Sequence, residues 1–413
     1  MVPAFASKLH PDVLASEFLD NHARSVLSFY YPACLDSQSG GYHQYFGPDG
    51  APDRDNTQRH LVSSTRLSIN FATAARHYND DGFLAAARHG VAFLREGHLD
   101  RQTGAYAWIV DGSTVVDASQ QCYGMAFVLM AYARAFEAGM TEAHGYIGET
   151  YDFLERHFWE DSHSLYADTL SPDLTLLSPY RGQNSNMHCC EAMIAAFEAT
   201  GERKYLDRAT RIARQITVVL AAETEGRIWE HYDENWVHDF AYNKGDPVNK
   251  LRPWGYQPGH FTEWTKLLLT INRHAPQAWL VPRARELFDL AMKIGYDSRY
   301  GGLYYSVAPD GTVCSDGKYS WVQAETIVAA AFLADSLNHG MYRCIYRQLW
   351  SYVLENMVDP QLKYWHRNLT RENLSHTDAV AMGRTDYHSI CACIDISKLL
   401  AQRLLHAPDR LCC

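Results

Sequence analysis

The sequence predicts an all-α protein of about twelve helices, arranged as six hairpins that close into one barrel, with short β-hairpins in the connecting loops. Three observations carry this reading. A short aromatic-rich segment recurs at Gly41, Gly104, Ser164, Gly226, Gly302 and Leu362, at intervals of 63, 60, 62, 76 and 60 residues. Each interval has room for two helices, and apolar residues at helical spacing support them. The two helices differ in kind: the first is rich in alanine (FATAARHY, CEAMIAAFEAT, ETIVAAAFLAD), the second more charged (KYLDRATRIARQI, VPRARELFDLAMKI).

Taken in order, the recurring segments are GYHQYFGPDG, GAYAWIVDGS, SLYADTLSPD, GRIWEHYDEN, GLYYSVAPDG and LKYWHRNLTR. Most end in Asp-Gly, Pro-Asp or Asp-Glu, so each reads as a strand or small hairpin entering a turn. Between them the predicted helix pairs are 63–78 with 82–97, 118–138 with 142–159, and 186–200 with 204–223. Next come 260–272 with 281–295 and 319–337 with 341–358; the final helix, 388–405, pairs with 13–31 from the other end of the chain. Repeats of this size cannot bury their apolar faces alone and stack on their neighbours. A closed ring of six needs no polar end-caps, so the alanine-rich helices are assigned to a tight inner layer and the charged ones to an outer layer. The whole chain, 1–413, is read as a single domain. The long fourth interval holds 233–258, a loop rich in Gly, Pro and aromatics that is expected over the mouth of the barrel. The alternative is an open helical solenoid, a non-enzymatic scaffold with an interaction surface.

The formal net charge of -11 argues against a nucleic-acid surface, and no cluster of Lys and Arg with interleaved aromatics opposes that. No apolar run is long enough to cross a membrane. Residues 1–10 lack the basic stretch and apolar run of a secretory leader. The ten cysteines include no C-x-x-C pair, which argues against a structural zinc cluster. Several lie in apolar helical patterns as small hydrophobes, the Cys412-Cys413 tail is read as an exposed end, and a cytoplasmic location is expected. Association of like copies is left open.

Chemistry is expected where the loops enter the inner helices. The stretch GYQPGHFTEWTKLLL runs from a Gly/Pro loop into an amphipathic helix, and places His260 and Glu263 three apart at the head of its buried stripe. A histidine capping the helix, with a glutamate on nearby backbone, would also account for them. The other inner helices repeat the pattern: Arg66 on the first, Gln120, Gln121 and Tyr123 on the second, Asn184 and His188 on the third. Lys318, Trp321, Gln323 and Glu325 open the fifth, and Tyr387 and His388 the sixth. Three chemistries compete for such a set. A zinc site would use three His and a Glu, but no H-x-x-x-H or H-E-x-x-H motif anchors it. A glycosidase would need two carboxylates across the pocket; Glu263 and Glu325 are available, with none in the exposed role of a base or nucleophile. A metal-free proton-transfer site uses histidine directly, since its pKa near neutrality lets it take and give a proton. The surrounding Trp, Tyr, Asn and Arg suit a carbohydrate.

The segments LVSSTRLSINFATAA, NSNMHCCEAM, GHFTEWTKLLL, KYSWVQAE and RTDYHS resemble the N-acylglucosamine 2-epimerase superfamily, over essentially the whole chain. The resemblance implies an (α/α)6 barrel and a cofactor-free, metal-free enzyme acting on a small neutral monosaccharide. The family includes 2-epimerases of N-acylated glucosamine and of cellobiose, and aldose–ketose isomerases of mannose, lyxose or sulfoquinovose. HFTEWTKLLL looks most like the isomerase branch, since epimerase relatives place the Trp later. A mannose isomerase type is therefore expected, with a 2-epimerase and a sulfoquinovose isomerase as the alternatives. By the same resemblance His260 helps open the pyranose ring and His388 moves the proton between C2 and C1. Arg66, Asn184, His188 and Glu263 bind hydroxyls or steady the imidazoles, and Trp321 and Gln323 complete the expected substrate site. Arg252 or Lys318 would recognise an anionic sugar, and Trp236, Trp254 and Tyr256 would wall off or stack on a second sugar unit. No nucleotide loop is present for an ATP effector.

Overall fold

A computed structural model describes residues 12–246, 249, 252–375 and 382–402. The expectations for residues 1–10, for Cys412-Cys413 and for the last helix beyond 402 lie outside these, as do positions 247, 248, 250 and 251 of the long loop.

Twelve α-helices lie among the described residues: α1 Ser16–Tyr30, α2 Leu61–Tyr78, α3 Asp81–Phe93, α4 Cys122–Glu137, α5 Ala143–His157 and α6 Gln183–Thr200. The remainder are α7 Arg203–Arg214, α8 Pro258–His274, α9 Leu280–Gly295, α10 Ser320–Leu337, α11 Gly340–Asn356 and α12 Tyr387–Gln402. The even-numbered helices pack in sequence as a ring, α2 on α4, α6, α8, α10 and α12, and α12 closes back onto α2. Each odd-numbered helix packs on an inner one, α1 on α12 included, so the ends of the chain share a hairpin. The ring is therefore closed, as the helix count and the alanine-rich inner faces predict. Alanine allows the inner helices to approach closely; Ala72, Ala126, Ala131, Ala195 and Ala329 are all fully buried. Among the described residues no helix is long and apolar enough to cross a membrane.

Two predicted outer helices are not regular throughout: 82–97 ends in a π-helical turn, Leu94–His98, and 204–223 is broken further. After α7 it passes through a π-helical turn, Gln215–Val219, and a 3-10 turn, Leu220–Thr224. The cause is local: Ile216, Thr217, Val218 and Val219 are all β-branched, and the Thr217 hydroxyl donates back to Ala213 O at 2.6 Å.

The aromatic segments have two tasks. In five repeats the segment bridges a residue seven positions earlier, at the end of the preceding outer helix: Leu35 with Tyr42, Leu99 with Tyr106, Trp159 with Tyr166, Tyr296 with Leu303, and Val358 with Trp365. They also pair with the strand that enters the inner helix of a neighbouring repeat. Gln58–His60 pairs with Ile109–Asp111, Gln120–Gln121 with Thr169–Leu170, Arg181–Gly182 with His231–Tyr232, and Lys318–Tyr319 with Asn368–Leu369. Besides small hairpins, the short strands thus form a chain of ladders round the rim where the inner helices begin. These ladders fix the height at which each inner helix presents its first polar residues.

The α2–α3 hairpin depends on a close approach at Gly90. A Cβ there would fall well inside contact distance of the Tyr42 hydroxyl and the Ser68 Oγ, both held in the core. Gly145 on α5 has open space around it. Gly90→Ala should therefore cost about 1–3 kcal/mol through overpacking, while Gly145→Ala should add about 0.5–1 kcal/mol through helix propensity. Urea unfolding of the two variants checks this; a neutral Gly90→Ala would contradict the packing of α3 on α2.

Candidate active site

Three histidines stand near the starts of inner helices, and each has a carboxylate at Nδ1. His260, in the first turn of α8 behind Pro258, donates from Nδ1 to Glu230 at 2.9 Å. His188, on α6, donates from Nδ1 to Glu191 Oε2 at 3.1 Å, one helical turn along the same face. His388, the second residue of α12, donates from Nδ1 to Glu325 Oε1 of α10 at 2.7 Å. A carboxylate on one ring nitrogen fixes the tautomer and leaves Nε2 as the basic atom. The Nε2 atom of His388 lies 3.5 Å from Arg66 Nη2, which also donates to the Tyr123 hydroxyl at 2.9 Å.

The ring of Trp321 lies between two of these imidazoles, 5.0 Å from His260 and 6.0 Å from His388, centroid to centroid. Its approach to α8 requires Gly259, where a Cβ would lie 2.7 Å from the Trp321 ring. The His260 pair is braced from behind: Gln183 Nε2 donates to Glu230 Oε2 at 2.8 Å, and Trp264 Nε1 donates to Gln183 Oε1 at 2.8 Å. The ladder between Arg181–Gly182 and His231–Tyr232 sets this up, because it brings Glu230 alongside Gln183 at the head of α6.

Deeper in the barrel three carboxylates surround one cation. Lys266 Nζ lies 2.8 Å from Glu325 Oε2, 3.0 Å from Glu191 Oε1 and 3.9 Å from Glu263 Oε1. Burial opposes a charge on Lys266, but the carboxylates outweigh it and lift its pKa well above the ordinary lysine range. Burial likewise opposes ionisation of Glu191 and Glu325; Lys266 and the histidine hydrogen bonds reverse that and hold both below the usual carboxylate range. Glu263 goes the other way. Burial, and then the neighbouring charge of Glu325, push its pKa well up. One of three crowded carboxylates therefore stays protonated, as like charges at this spacing require. His188, Glu191 and Glu263, and also Glu263, Glu325 and His388, converge closely enough to hold a metal ion. The cation that those carboxylates face here is the ammonium of Lys266.

Most of the residues singled out in the sequence come together: Arg66, His188, His260, Glu263, Trp321, Glu325 and His388. Asn184, in the first turn of α6, has a buried Oδ1 without a protein partner, as does Arg66 at Nε. Gln323 and Lys318 differ from expectation. Gln323 is fully buried, accepting from Leu303 N and donating to Leu303 O, both at 2.9 Å. The same amide clamp recurs at Gln44 on His60 and Asn186 on Tyr166, so Gln323 fastens its helix to the aromatic segment and has no free amide for a sugar. Lys318 is buried against Asp297 at 3.1 Å. Gln120 is likewise committed, to Tyr106 N. Trp236 and Trp254 donate their indole N–H to Glu160 and to Phe240 O, and Tyr256 pairs through its backbone with Val307. Glu230, Gln183, Glu191 and Lys266 were not singled out. A glutamate at i+3 from His188 was the available signal for Glu191.

Fold and site together define a helical barrel whose inner-ring imidazoles are each oriented by a carboxylate, an arrangement of groups that can take and give protons. Residues 40–392 match the N-acylglucosamine 2-epimerase (GlcNAc 2-epimerase) family, and the chain belongs to that family. It is 45% identical over 400 residues to a D-mannose isomerase of Marinomonas mediterranea, covering 96% of this chain and 99% of the relative. A D-mannose isomerase of Thermobifida fusca is 32% identical over 356 residues, covering 85% and 86% of the two chains. A crystal structure of a D-mannose isomerase superposes with a TM-score of 0.91 at 44% identity, over 95% of this chain and 100% of that one.

Burial pulls the imidazoles of His188 and of His98, which is bonded to Ala107 O, down to about 4 from 6.5. A lowered folded-state pKa means that the unfolded chain binds the proton more tightly. The stabilisation is complete above 6.5 and is lost as pH falls towards 4, about 2 kcal/mol for each by pH 5. Urea midpoints should therefore drop between pH 7.5 and pH 5, and His98→Gln should reduce the drop. A midpoint that held level would mean that these rings are already charged in the fold.

Proposed function

We propose that the protein is an aldose–ketose isomerase that interconverts D-mannose and D-fructose, with D-lyxose and D-xylulose as a second pair. The observation that carries this reading is the environment of His388. Its Nδ1 is held by Glu325, and its Nε2 lies beside the Arg66 guanidinium. Burial lowers the pKa of His388, against the pull of Glu325, so the ring is neutral and basic at neutral pH. The D-mannose isomerases among its relatives support the choice of sugar.

In this mechanism His260, with Glu230 behind it, exchanges protons with the sugar oxygens and opens the pyranose ring. His388 Nε2 then takes the proton from C2 of the open aldose, forming a cis-enediol whose developing charge Arg66 and protonated Glu263 stabilise. The same imidazolium returns the proton at C1, while the proton of the O2 hydroxyl passes to O1, so that C2 becomes the ketone and C1 the alcohol. C2 is oxidised as C1 is reduced within the same molecule, so there is no net redox change and the reaction calls for no external oxidant or reductant. Trp321 offers an aromatic face to the C–H side of the sugar, and Asn184 and His188 have polar atoms for hydroxyls. A neutral sugar fits better than sulfoquinovose, because Lys318 is paired with Asp297, and Arg252 lies against Tyr180 and Asp168. The flanking of Trp321 by two imidazoles favours one further reading, a 2-epimerase that returns the proton to C2.

Incubation with D-mannose and chromatographic separation of aldoses from ketoses should show fructose as the first product; glucose without fructose would contradict isomerisation and favour epimerisation. Because Lys266 already stands among the carboxylates that a metal would need, dialysis against a strong chelator should leave turnover unchanged. A loss of activity that added metal restores would contradict the metal-free mechanism.

A further inference from the structure

Lys266 takes no part in the steps just described, yet it is buried close to them. It lies six residues after His260, about 9 Å along α8, and so beneath the sugar site. Its relative exposure is 8%, and a lysine at that depth requires partners. The partners form a pattern. Glu325 gives one oxygen to Lys266 and the other to His388 Nδ1. Glu191 does the same between Lys266 and His188 Nδ1. The three carboxylates and the two histidine rings come from four inner helices, α6, α8, α10 and α12, and Lys266 is the one group that touches every carboxylate.

We propose that Lys266 is a positioning residue for the isomerisation: its ammonium pins Glu191 and Glu325 against the Nδ1 atoms of His188 and His388, so that both rings present a bare Nε2 to the sugar. This rests on the reading of His388 as the proton carrier. Charge counting supports it. With Lys266 and Arg66 as cations, two of the carboxylates can be ionised at net neutrality, and Glu263 is the one that burial keeps protonated. The other groups facing His388 and Lys266 are Tyr123 on α4, Tyr387, Cys391 and Asp395 on α12, and His188. Burial holds the hydroxyls and the thiol towards their protonated forms and His188 towards its neutral one, while Asp395 is 40% exposed and pairs with Lys398. None of them can replace the charge of Lys266. Without it, the cluster must keep another proton to a higher pH, on Glu325 or on the His388 ring. Either place disables the base, because the working form needs an ionised Glu325 and an unprotonated Nε2.

The test compares Lys266→Met with Lys266→Arg, using whichever sugar the unaltered protein converts, with Tm and circular dichroism to confirm folding. The Met variant should lose up to about tenfold in kcat at pH 7 with KM moved less than about threefold. The acid limb of its kcat profile should move upward by about one pH unit or more, so that the deficit shrinks at alkaline pH. Lys266→Arg keeps the charge and should hold the acid limb in place even where turnover falls. A Met variant with the same proportional loss at every pH would overturn the proposal and leave Lys266 a packing residue. A measurement on the unaltered protein decides the matter if the variants do not fold. In ¹⁵N-histidine NMR from pH 6 to 9, the rings of His188 and His388 should stay protonated at Nδ1 and bare at Nε2; Nε2-protonated or averaging rings at these two positions would overturn it. If mannose is not converted, the proposed function fails, while the NMR result still tests Lys266.

Discussion

An imidazole can draw a proton from carbon only through a nitrogen that does not already carry one, so the tautomer of the ring is the constraint on which this site depends. Here it is met three times in the same way, by a glutamate at Nδ1 of His188, His260 and His388. A carboxylate accepts that hydrogen bond most strongly, and a carboxylate in an interior requires a cation or hydrogen-bond donors. Gln183 supplies a donor for Glu230, and Lys266 supplies the cation for Glu191 and Glu325. The polar interior of the barrel therefore holds two bonded sets, Glu230 with Gln183 and His260, and Lys266 with Glu191, Glu325, His188 and His388.

The architecture explains how such sets can be assembled from distant parts of the chain. A ring of six inner helices brings six helix starts to one rim, and the ladders between neighbouring repeats fix their heights. Side-chain amides at Gln44, Asn186 and Gln323 fasten the aromatic segments to the helices. A buried amide that brackets a backbone N–H and C=O satisfies both and so costs little. The imidazoles then need only short reaches to meet their carboxylates, and Trp321 can lie between two of them because residue 259 is glycine.

The barrel was legible in the sequence because its repeat has a nearly constant period and its two helix types differ in composition. The histidines were legible because His188, His260 and His388 share one phase of that repeat. Phase alone, however, does not tell which way a side chain turns. Gln323 and Lys318 occupy the right height but face the backbone and Asp297, so the sequence pattern placed them among the sugar ligands. Glu230 was hidden for the opposite reason. It belongs to a short strand segment without helical periodicity, and only the pairing of His231 with Gly182 shows that it lies behind His260. Lys266 was read as one more residue of a helix, since nothing in a linear sequence shows that its partners sit on α6 and α10. The break after α7 follows from a run of β-branched residues that an amphipathic pattern conceals.

The central claim is that His388 Nε2 removes the proton at C2. Release of deuterium from D-mannose labelled at C2, followed by NMR in the unaltered protein and in His388→Asn, tests it directly. The account predicts that label leaves C2 about 10²- to 10⁴-fold more slowly in the variant, while mannose still binds. Label lost from C2 at an unaltered rate in His388→Asn would show that another group is the base.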